Sequence, residues 1–185
     1  MIKDILADAG TKMDKALEVL KEDFGTVRSG RANPSLFSKV VVDYYGSPTP
    51  LQQLASFNTP EARVLTITPF DKNALGDIEK ALQKADLGGS PSNDGNLIRI
   101  VMPDLTEERR KEYVKLVKSK AEDAKVSIRN IRRKANDDIN ALVKDGDIGE
   151  DEGKRAEKDL DALTKKHTDQ IDETTKNKET ELLEV

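Results

Sequence analysis

The chain has 185 residues and a net charge of −4; 36% of its residues are charged, only 4% are aromatic, and Cys and Trp are absent. The lack of Cys excludes disulfides, thiolate metal sites and Cys nucleophiles. No apolar run approaches the about 20 residues that span a bilayer, and the N-terminus lacks the apolar stretch of a signal peptide. We therefore expect a soluble cytoplasmic protein of one domain or two small ones.

The N-terminal stretch, residues 2–28, is predicted to form the first long helix. Its apolar residues recur at intervals of three and four, with Lys, Asp and Glu between them. Gly30 suits a left-handed helix end, and Pro34 restricts the residue before it to an extended backbone. The glycine spacing of residues 25–32 is that of a phosphate-binding loop, but it lacks the Lys and follows a helix instead of a strand. We reject nucleotide binding at this position.

The middle of the chain, residues 31–104, has a different character and is predicted to form a small inserted domain. β-Branched and aromatic residues indicate strands at the positions 39–45, 51–58, 63–68 and 97–102. A short amphipathic helix is predicted over residues 73–85, and the Gly-rich residues 87–95 are expected to form a loop. This pattern indicates an α/β module that is rich in β-structure.

The next stretch, residues 105–144, is predicted to form the longest helix, with Thr106 as its N-cap. Residues 105–135 carry 11 basic and 5 acidic side chains, whereas residues 136–185 carry 8 and 16. At 100° per residue, Lys125, Arg129 and Arg132 lie beside the apolar seam, and Arg133 lies further around the helix. Such a basic ridge favours an anionic ligand such as nucleic acid. The alternative is a charged face that only solvates the helix and pairs with acidic neighbours.

The last stretch, residues 151–183, is predicted to form a third long helix, and residues 145–149 form a tight connection without calcium-loop spacing. The fold class is therefore α+β: a long antiparallel three-helix bundle from residues 1–30 and 105–185, with residues 31–104 inserted as the small domain. Two segments of chain connect the domains and form a predicted hinge. The hinge residues are Gly30, Arg31, Ala32, Pro103, Asp104 and Leu105.

Catalytic chemistry has little support in this composition. His167 is the only histidine and falls in register with the apolar stripe of the last helix, so we expect a packed core residue. One His and no Cys leave neither a Ser/His/Asp arrangement nor a His-based metal cluster. The abundant carboxylates have spacings that solvation and ion pairing along helices explain. The chain is therefore predicted not to be an enzyme and not to hold a metal.

Several motifs in order along the chain resemble one known family. They are RSGRANP at residues 28–34, VDYYG at residues 42–46, LTEERR at residues 105–110 and VSIRNIRR at residues 126–133. This chain resembles the bacterial ribosome recycling factor, also called ribosome-releasing factor, over its whole length. The residues NIRRK at 130–134 and the ending ELLEV resemble the actinobacterial form of that family.

The resemblance implies an L-shaped, tRNA-sized monomer that acts after translation termination. It implies binding to the large subunit and, with elongation factor G and its GTP hydrolysis, splitting of the ribosome with release of mRNA and tRNA. The chain itself would need no cofactor. The resemblance also implies rRNA-binding residues, which in this sequence are Arg28, Arg31, Arg129, Arg132 and Arg133.

Three further basic residues have a weaker assignment. Lys125 joins the rRNA-binding set by its position on the ridge, and Arg109 and Arg110 are secondary candidates that could instead serve the domain junction. A competing interpretation is a structural or chaperone-like helical scaffold that binds protein through its apolar stripe. Weak salt dependence of ribosome association and self-association of the chain would favour that interpretation.

Overall fold

The computed structural model describes residues 1–27, 29–85 and 89–184 and confirms the α+β class, with long helices and a small antiparallel sheet. The chain divides into two compact units. The helical unit comprises Met1–Phe24 and Val114–Glu181, and the sheet unit comprises Gly25–Tyr113 and Leu182–Val185. The domain boundaries predicted after residue 30 and before residue 105 differ from these limits and both lie within the sheet unit.

The chain contains three long helices, and all of its short elements lie between the first and the second of them. The helices are α1 (Ile2–Gly25), α2 (Leu75–Ala85), α3 (Glu107–Lys144) and α4 (Glu150–Leu183). The strands are β1 (Val41–Tyr44), β2 (Ser47–Pro50), β3 (Ala55–Glu61), β4 (Val64–Pro69), β5 (Ser90–Asn93) and β6 (Ile98–Val101). Within the described ranges, none of these helices combines the length and apolar composition needed to cross a lipid bilayer.

The helical unit buries one apolar stripe from each of α1, α3 and α4. Each buried Leu, Ile or Met side chain contributes about 1.5–3 kcal/mol of transfer free energy. The buried residues include Ala9, Met13, Leu17, Leu20, Val117, Ala121, Ile128, Ala135, Ile139, Ala156, Leu160 and Ile171. The buried residues of α3, from Val117 to Ile139, are four or seven positions apart, which is the spacing of one helix face and confirms the apolar seam of this helix.

His167 is buried in this core, as its register predicted, with only 1% of its surface exposed. Its Nε2 lies 2.6 Å from Asp14 Oδ1 on α1, and its Nδ1 lies 2.8 Å from the Leu163 carbonyl oxygen. Both ring nitrogens therefore have polar partners, which removes the cost of burying an unsatisfied polar group.

The ends of the long helices follow local capping rules. The Thr106 side-chain oxygen accepts a hydrogen bond from the Arg109 backbone N–H at 3.1 Å, which confirms the predicted N-cap of α3. At the other end, Gly146 has a φ of +77° and donates to the Val143 carbonyl oxygen at 3.1 Å. This left-handed residue begins the short connection to α4.

The sheet unit contains a two-stranded hairpin and a four-stranded sheet. Strands β1 and β2 pair with each other, and the larger sheet has the order β3-β4-β6-β5, with every pairing antiparallel. Helix α2 contributes buried Leu75, Ile78 and Leu82 to the core. The other large residues of this core are Leu36, Phe37, Val40, Val42, Leu51, Leu65, Ile67, Ile98, Ile100 and Met102.

Strand β2 was missed by the sequence prediction, which ended the first strand in a turn. Pro48 and Pro50 argued against a strand there, but β2 pairs only with β1, so a proline without an N–H can lie at its open edge. Tyr45 and Gly46 have φ values of 50° and 80°, the left-handed pair of a type I′ hairpin turn.

Three further boundaries differ from the prediction. Helix α1 ends at Gly25 instead of residue 28, and Arg28 lies outside the described residues. The extended stretch predicted at residues 51–58 begins as a 3₁₀ turn, Leu51–Gln53, before β3. The predicted loop at residues 87–95 contains β5, and its residues 87 and 88 lie outside the described ranges.

Candidate nucleic-acid interface

Helix α3 carries four of the predicted site residues on one side of the helical unit. We call Lys125, Arg129, Arg132 and Arg133 the cationic ridge. Ile128 lies between them in the sequence and is fully buried, so packing of the seam fixes the rotation of α3. The guanidinium groups of Arg129 and Arg133 are consequently exposed, while Lys125 and Arg132 are partly covered.

Two ridge residues form ion pairs across to α4. The Nε and Nη2 atoms of Arg132 both donate to Asp161 Oδ1, at 2.8 and 2.6 Å. The Lys125 Nζ atom lies 2.5 Å from Asp172 Oδ1. One flank of the ridge is therefore lined by carboxylates of the neighbouring helix.

The other two ridge residues are less constrained. Arg129 Nη1 lies 3.3 Å from Glu122 Oε1 on the same helix, and both side chains are more than half exposed. Arg133 is exposed and has no ion pair within the part of the chain that the structure describes. Exposed ion pairs contribute only about 0–1 kcal/mol, so these cations remain available to an anionic ligand.

Arg31 lies in the sheet unit, and Arg28 falls outside the described residues. The Arg31 side chain is exposed, with Nη2 3.6 Å from Glu184 Oε2. Of the secondary candidates, Arg109 pairs with Glu112 at 3.7 Å. The Nε atom of Arg110 is buried and has no hydrogen-bond partner among the described residues.

The predicted hinge residues are attached to the turn between β3 and β4. Ala32 N–H donates to the Ala62 carbonyl oxygen at 2.8 Å, and the Arg63 guanidinium contacts Asp104 at 2.7 Å. Gly30 has a φ of +83°, and a Cβ atom there would lie 3.7 Å from the Leu105 side chain. Pro103 is exposed between these contacts. The six residues thus belong to the sheet unit, and their hinge role stays a prediction.

The opposite side of α3 forms two grooves with α1, with volumes of about 460 and 410 Å³. Their apolar lining combines alanines with larger side chains such as Ile5, Ile131 and Val19, and charged residues that include the Lys134–Asp138 pair also line the first groove. Among the described residues no group of three or more His, Asp or Glu side chains is arranged to hold a metal ion.

The arrangement of the ridge suits phosphate recognition. Arg offers a planar fork of donors that can bind two phosphate oxygens, and it also stacks on bases. Sequence reasoning located these cations but missed the α4 carboxylates beside them. The short α3–α4 connection was the available signal, because an antiparallel hairpin of helices places residues near 125 opposite residues near 170.

Comparisons with known proteins agree with the motifs of the sequence. The family model described as ribosome recycling factor matches residues 20–183. The ribosome-recycling factor of Renibacterium salmoninarum is 69% identical over 185 residues and covers 100% of both chains. Those of Kocuria rhizophila and Streptomyces coelicolor are 69% and 60% identical, and cover 99% and 100% of both chains.

Two solved structures match over the full length of this chain. A solution structure of the ribosome recycling factor has a TM-score of 0.80 and 38% identity, with 98% of that chain covered. The second has a TM-score of 0.72, 42% identity and complete coverage of both chains. It contains models for the T. thermophilus ribosome recycling factor and the E. coli elongation factor G bound to the E. coli post-termination complex. This chain therefore belongs to the ribosome recycling factor family.

Proposed function

We propose that this protein recycles ribosomes after translation termination in the cytoplasm. It binds the large subunit of the post-termination complex and, with elongation factor G and GTP, splits the ribosome into subunits, so that mRNA and tRNA are released. The observation that carries this proposal is the match over both full chains to a factor seen with elongation factor G on a post-termination complex. The GTP belongs to elongation factor G, and this chain acts as a monomer without a cofactor or a catalytic residue.

The cationic ridge is the proposed rRNA-binding surface, together with Arg28 and Arg31. Phosphate neutralisation by Lys and Arg supplies affinity that falls steeply as salt rises. Helix α3 has 38 residues, which corresponds to about 57 Å at 1.5 Å per residue. A packed helix of that length is stiff enough to transmit force from a bound surface.

The connecting segments at Gly30, Arg31 and Ala32 and at Pro103, Asp104 and Leu105 are proposed to be the hinge. The left-handed backbone of Gly30 supports this role, because a φ of +83° is open to glycine and costly for other residues. Ala32 and Asp104 contact the β3–β4 turn, so within this hinge we propose that the backbone adjusts most at Gly30, Arg31, Pro103 and Leu105.

The direct test is ribosome co-sedimentation of the wild type and the Arg132→Ala variant at two salt concentrations. We expect the variant to bind roughly ten- to a hundredfold more weakly, because a hydrogen bond to a charged group contributes about 1.5–3 kcal/mol net. Its binding should also depend less steeply on salt. The matched control is Lys134→Ala, which removes a cation from the α1 side of α3 and should bind as the wild type does.

Equal binding by the wild type and Arg132→Ala would contradict the ridge proposal. Weak salt dependence in both proteins would instead favour the helical scaffold, for which the grooves between α1 and α3 offer a surface with the exposed Val19 at its edge. Self-association of the chain at the concentrations used would point in the same direction.

A further inference from the structure

We propose that Asp161 and Asp172 of α4 limit the affinity of the cationic ridge for rRNA and speed its release. They act as built-in counter-ions that compete with phosphate for Arg132 and Lys125. This inference rests on the proposed rRNA-binding role of the ridge and adds a positioning and affinity-setting role for two acidic residues of the neighbouring helix.

The geometry shows a repeated arrangement. Asp161 and Asp172 are separated by three helical turns and lie on the same face of α4, while Arg132 and Lys125 are separated by two turns of α3. Both pairs join the two helices, with contacts of 2.6 and 2.5 Å. They differ from pairs such as Lys165–Asp169, which lie within one helix.

The partial exposure of these groups gives a phosphate access to the basic side chains. In the Arg132–Asp161 pair the side chains are 38% and 53% exposed, and in the Lys125–Asp172 pair they are 26% and 62% exposed. Water screens such pairs, which makes them weak. A phosphate with several oxygens can therefore displace the Asp161 carboxylate from Arg132.

The carboxylates cannot leave the site when phosphate binds, because α4 holds them beside α3. Asp161 then lies near a bound phosphate without its Arg132 partner, and like charges at short distance repel. Asp161 must then also take up a cation from solution. This uptake cancels one of the cations that the rRNA releases when it binds. Binding is weaker, and dissociation faster, than the cationic charge of the ridge alone would give.

The test compares Asp161→Asn with the wild type in ribosome binding at two salt concentrations, with association and dissociation followed separately. We expect binding to tighten about two- to fivefold, mostly through slower dissociation. The slope of log affinity against log salt should become steeper by up to about 0.9. Asp172→Asn should act in the same direction, and the double variant should bind about tenfold more tightly.

The matched control is Asp138→Asn, which makes the same change of charge on the α1 side of α3, where Asp138 pairs with Lys134. It should bind ribosomes as the wild type does. Equal tightening by Asp138→Asn would reduce the effect to net charge and overturn the inference.

Unchanged or weaker binding by Asp161→Asn would also overturn the inference, since Asp161 would then either have no influence or only hold Arg132 in place. Circular dichroism should show the same helix content in all variants, because the altered pairs are exposed. Arg132→Ala in the same assay separates the two proposals. If Arg132→Ala binds more weakly and Asp161→Asn does not bind more tightly, the ridge proposal stands and only the counter-ion role is rejected.

Discussion

Among single residues, Asp71 has the most defined chemistry in the sheet unit. Its Oδ1 accepts the Asn73 backbone N–H at 2.9 Å, and its Oδ2 accepts the hydroxyls of Tyr44 at 2.9 Å and Tyr45 at 3.4 Å. The hydrogen bond from Asn73 and then that from Tyr44 lower the pKa of Asp71 below 3.8. The hydrogen bond that the Tyr44 hydroxyl donates to Asp71 stabilises the protonated phenol and raises the pKa of Tyr44 above 10.0.

These directions give the Tyr44→Phe variant a defined pH profile. Stability from ionised Asp71 is present above its ordinary pKa of 3.8 and is lost as pH falls through the lowered value. Stability from protonated Tyr44 is present below pH 10.0 and is lost as pH rises through the raised value. We therefore expect Tyr44→Phe to lower the melting temperature at neutral pH, and the difference from the wild type to shrink at both extremes.

A carboxyl NMR titration checks the cause of this profile. In Tyr44→Phe the pKa of Asp71 should move up toward its ordinary value, and in the control Tyr45→Phe it should move less, because that hydrogen bond is the longer one. An Asp71 titration identical in the wild type and Tyr44→Phe would show that the hydroxyl does not stabilise the carboxylate.

Among the elements, the close approach of α3 and α4 near their connection depends on Gly153. A Cβ atom at this position would lie 2.6 Å from Val143 Cγ2, and a β-branched side chain in a helix has little rotamer freedom with which to move away. Gly153→Ala should therefore destabilise the helical unit by about 1–3 kcal/mol, although Ala is normally the better helix former. Thermal unfolding followed by circular dichroism measures this effect.

A matched glycine lies in α2. A Cβ at Gly76 would have no atom within 4 Å, so Gly76→Ala should stabilise the sheet unit by about 0.5–1 kcal/mol.

Adding Val143→Ala to Gly153→Ala should cost less stability than the sum of the two single changes, because the clash is removed. Additive losses would show that the helices already separate at this point.

The long helices were predictable because their apolar spacing continues over many turns, and α3 begins and ends within two residues of its predicted limits. The strands β2 and β5 were not. Ser47–Pro50 and Ser90–Asn93 contain Pro and Ser and resemble turns, and their strand geometry comes from the partners β1 and β6. Local propensity is overridden there by pairing.

In the candidate site too, features set by local spacing could be predicted, whereas features set by packing between elements could not. The rotation of the cationic ridge followed from the 100° spacing, and the full burial of Ile128 agrees with it, while the rRNA-binding role stays a prediction. The pairing of Arg132 with Asp161, 29 residues further along the chain, was missed. The short α3–α4 connection sets the approximate register of the two helices, but the individual side-chain partner depends on how they pack. Side-chain partners across helices require the packed bundle.

For the whole molecule, the distribution of charge matters more than its sum. The net charge is −4, which opposes non-specific association with RNA, and the acidic residues of α4 flank the cationic ridge. With the proposed rRNA-binding role of the ridge, this distribution favours binding where phosphates meet the basic residues and disfavours it elsewhere. A recycling factor that must leave its site after each round gains from such limited affinity.

The proposed roles, affinity from the cationic ridge and stiffness from the packed helices, predict how ridge variants affect recycling. In a light-scattering assay of subunit splitting with elongation factor G and GTP, the double variant Arg129→Ala with Arg132→Ala should be slow at low factor concentration. It should approach the wild-type maximal rate at saturation, because the ridge supplies affinity while the packed helices supply stiffness. Lys134→Ala should match the wild type throughout. A maximal rate that stays low at saturation would place the ridge in the splitting step itself, since contacts that only bind the ribosome cannot lower the rate of a saturated complex.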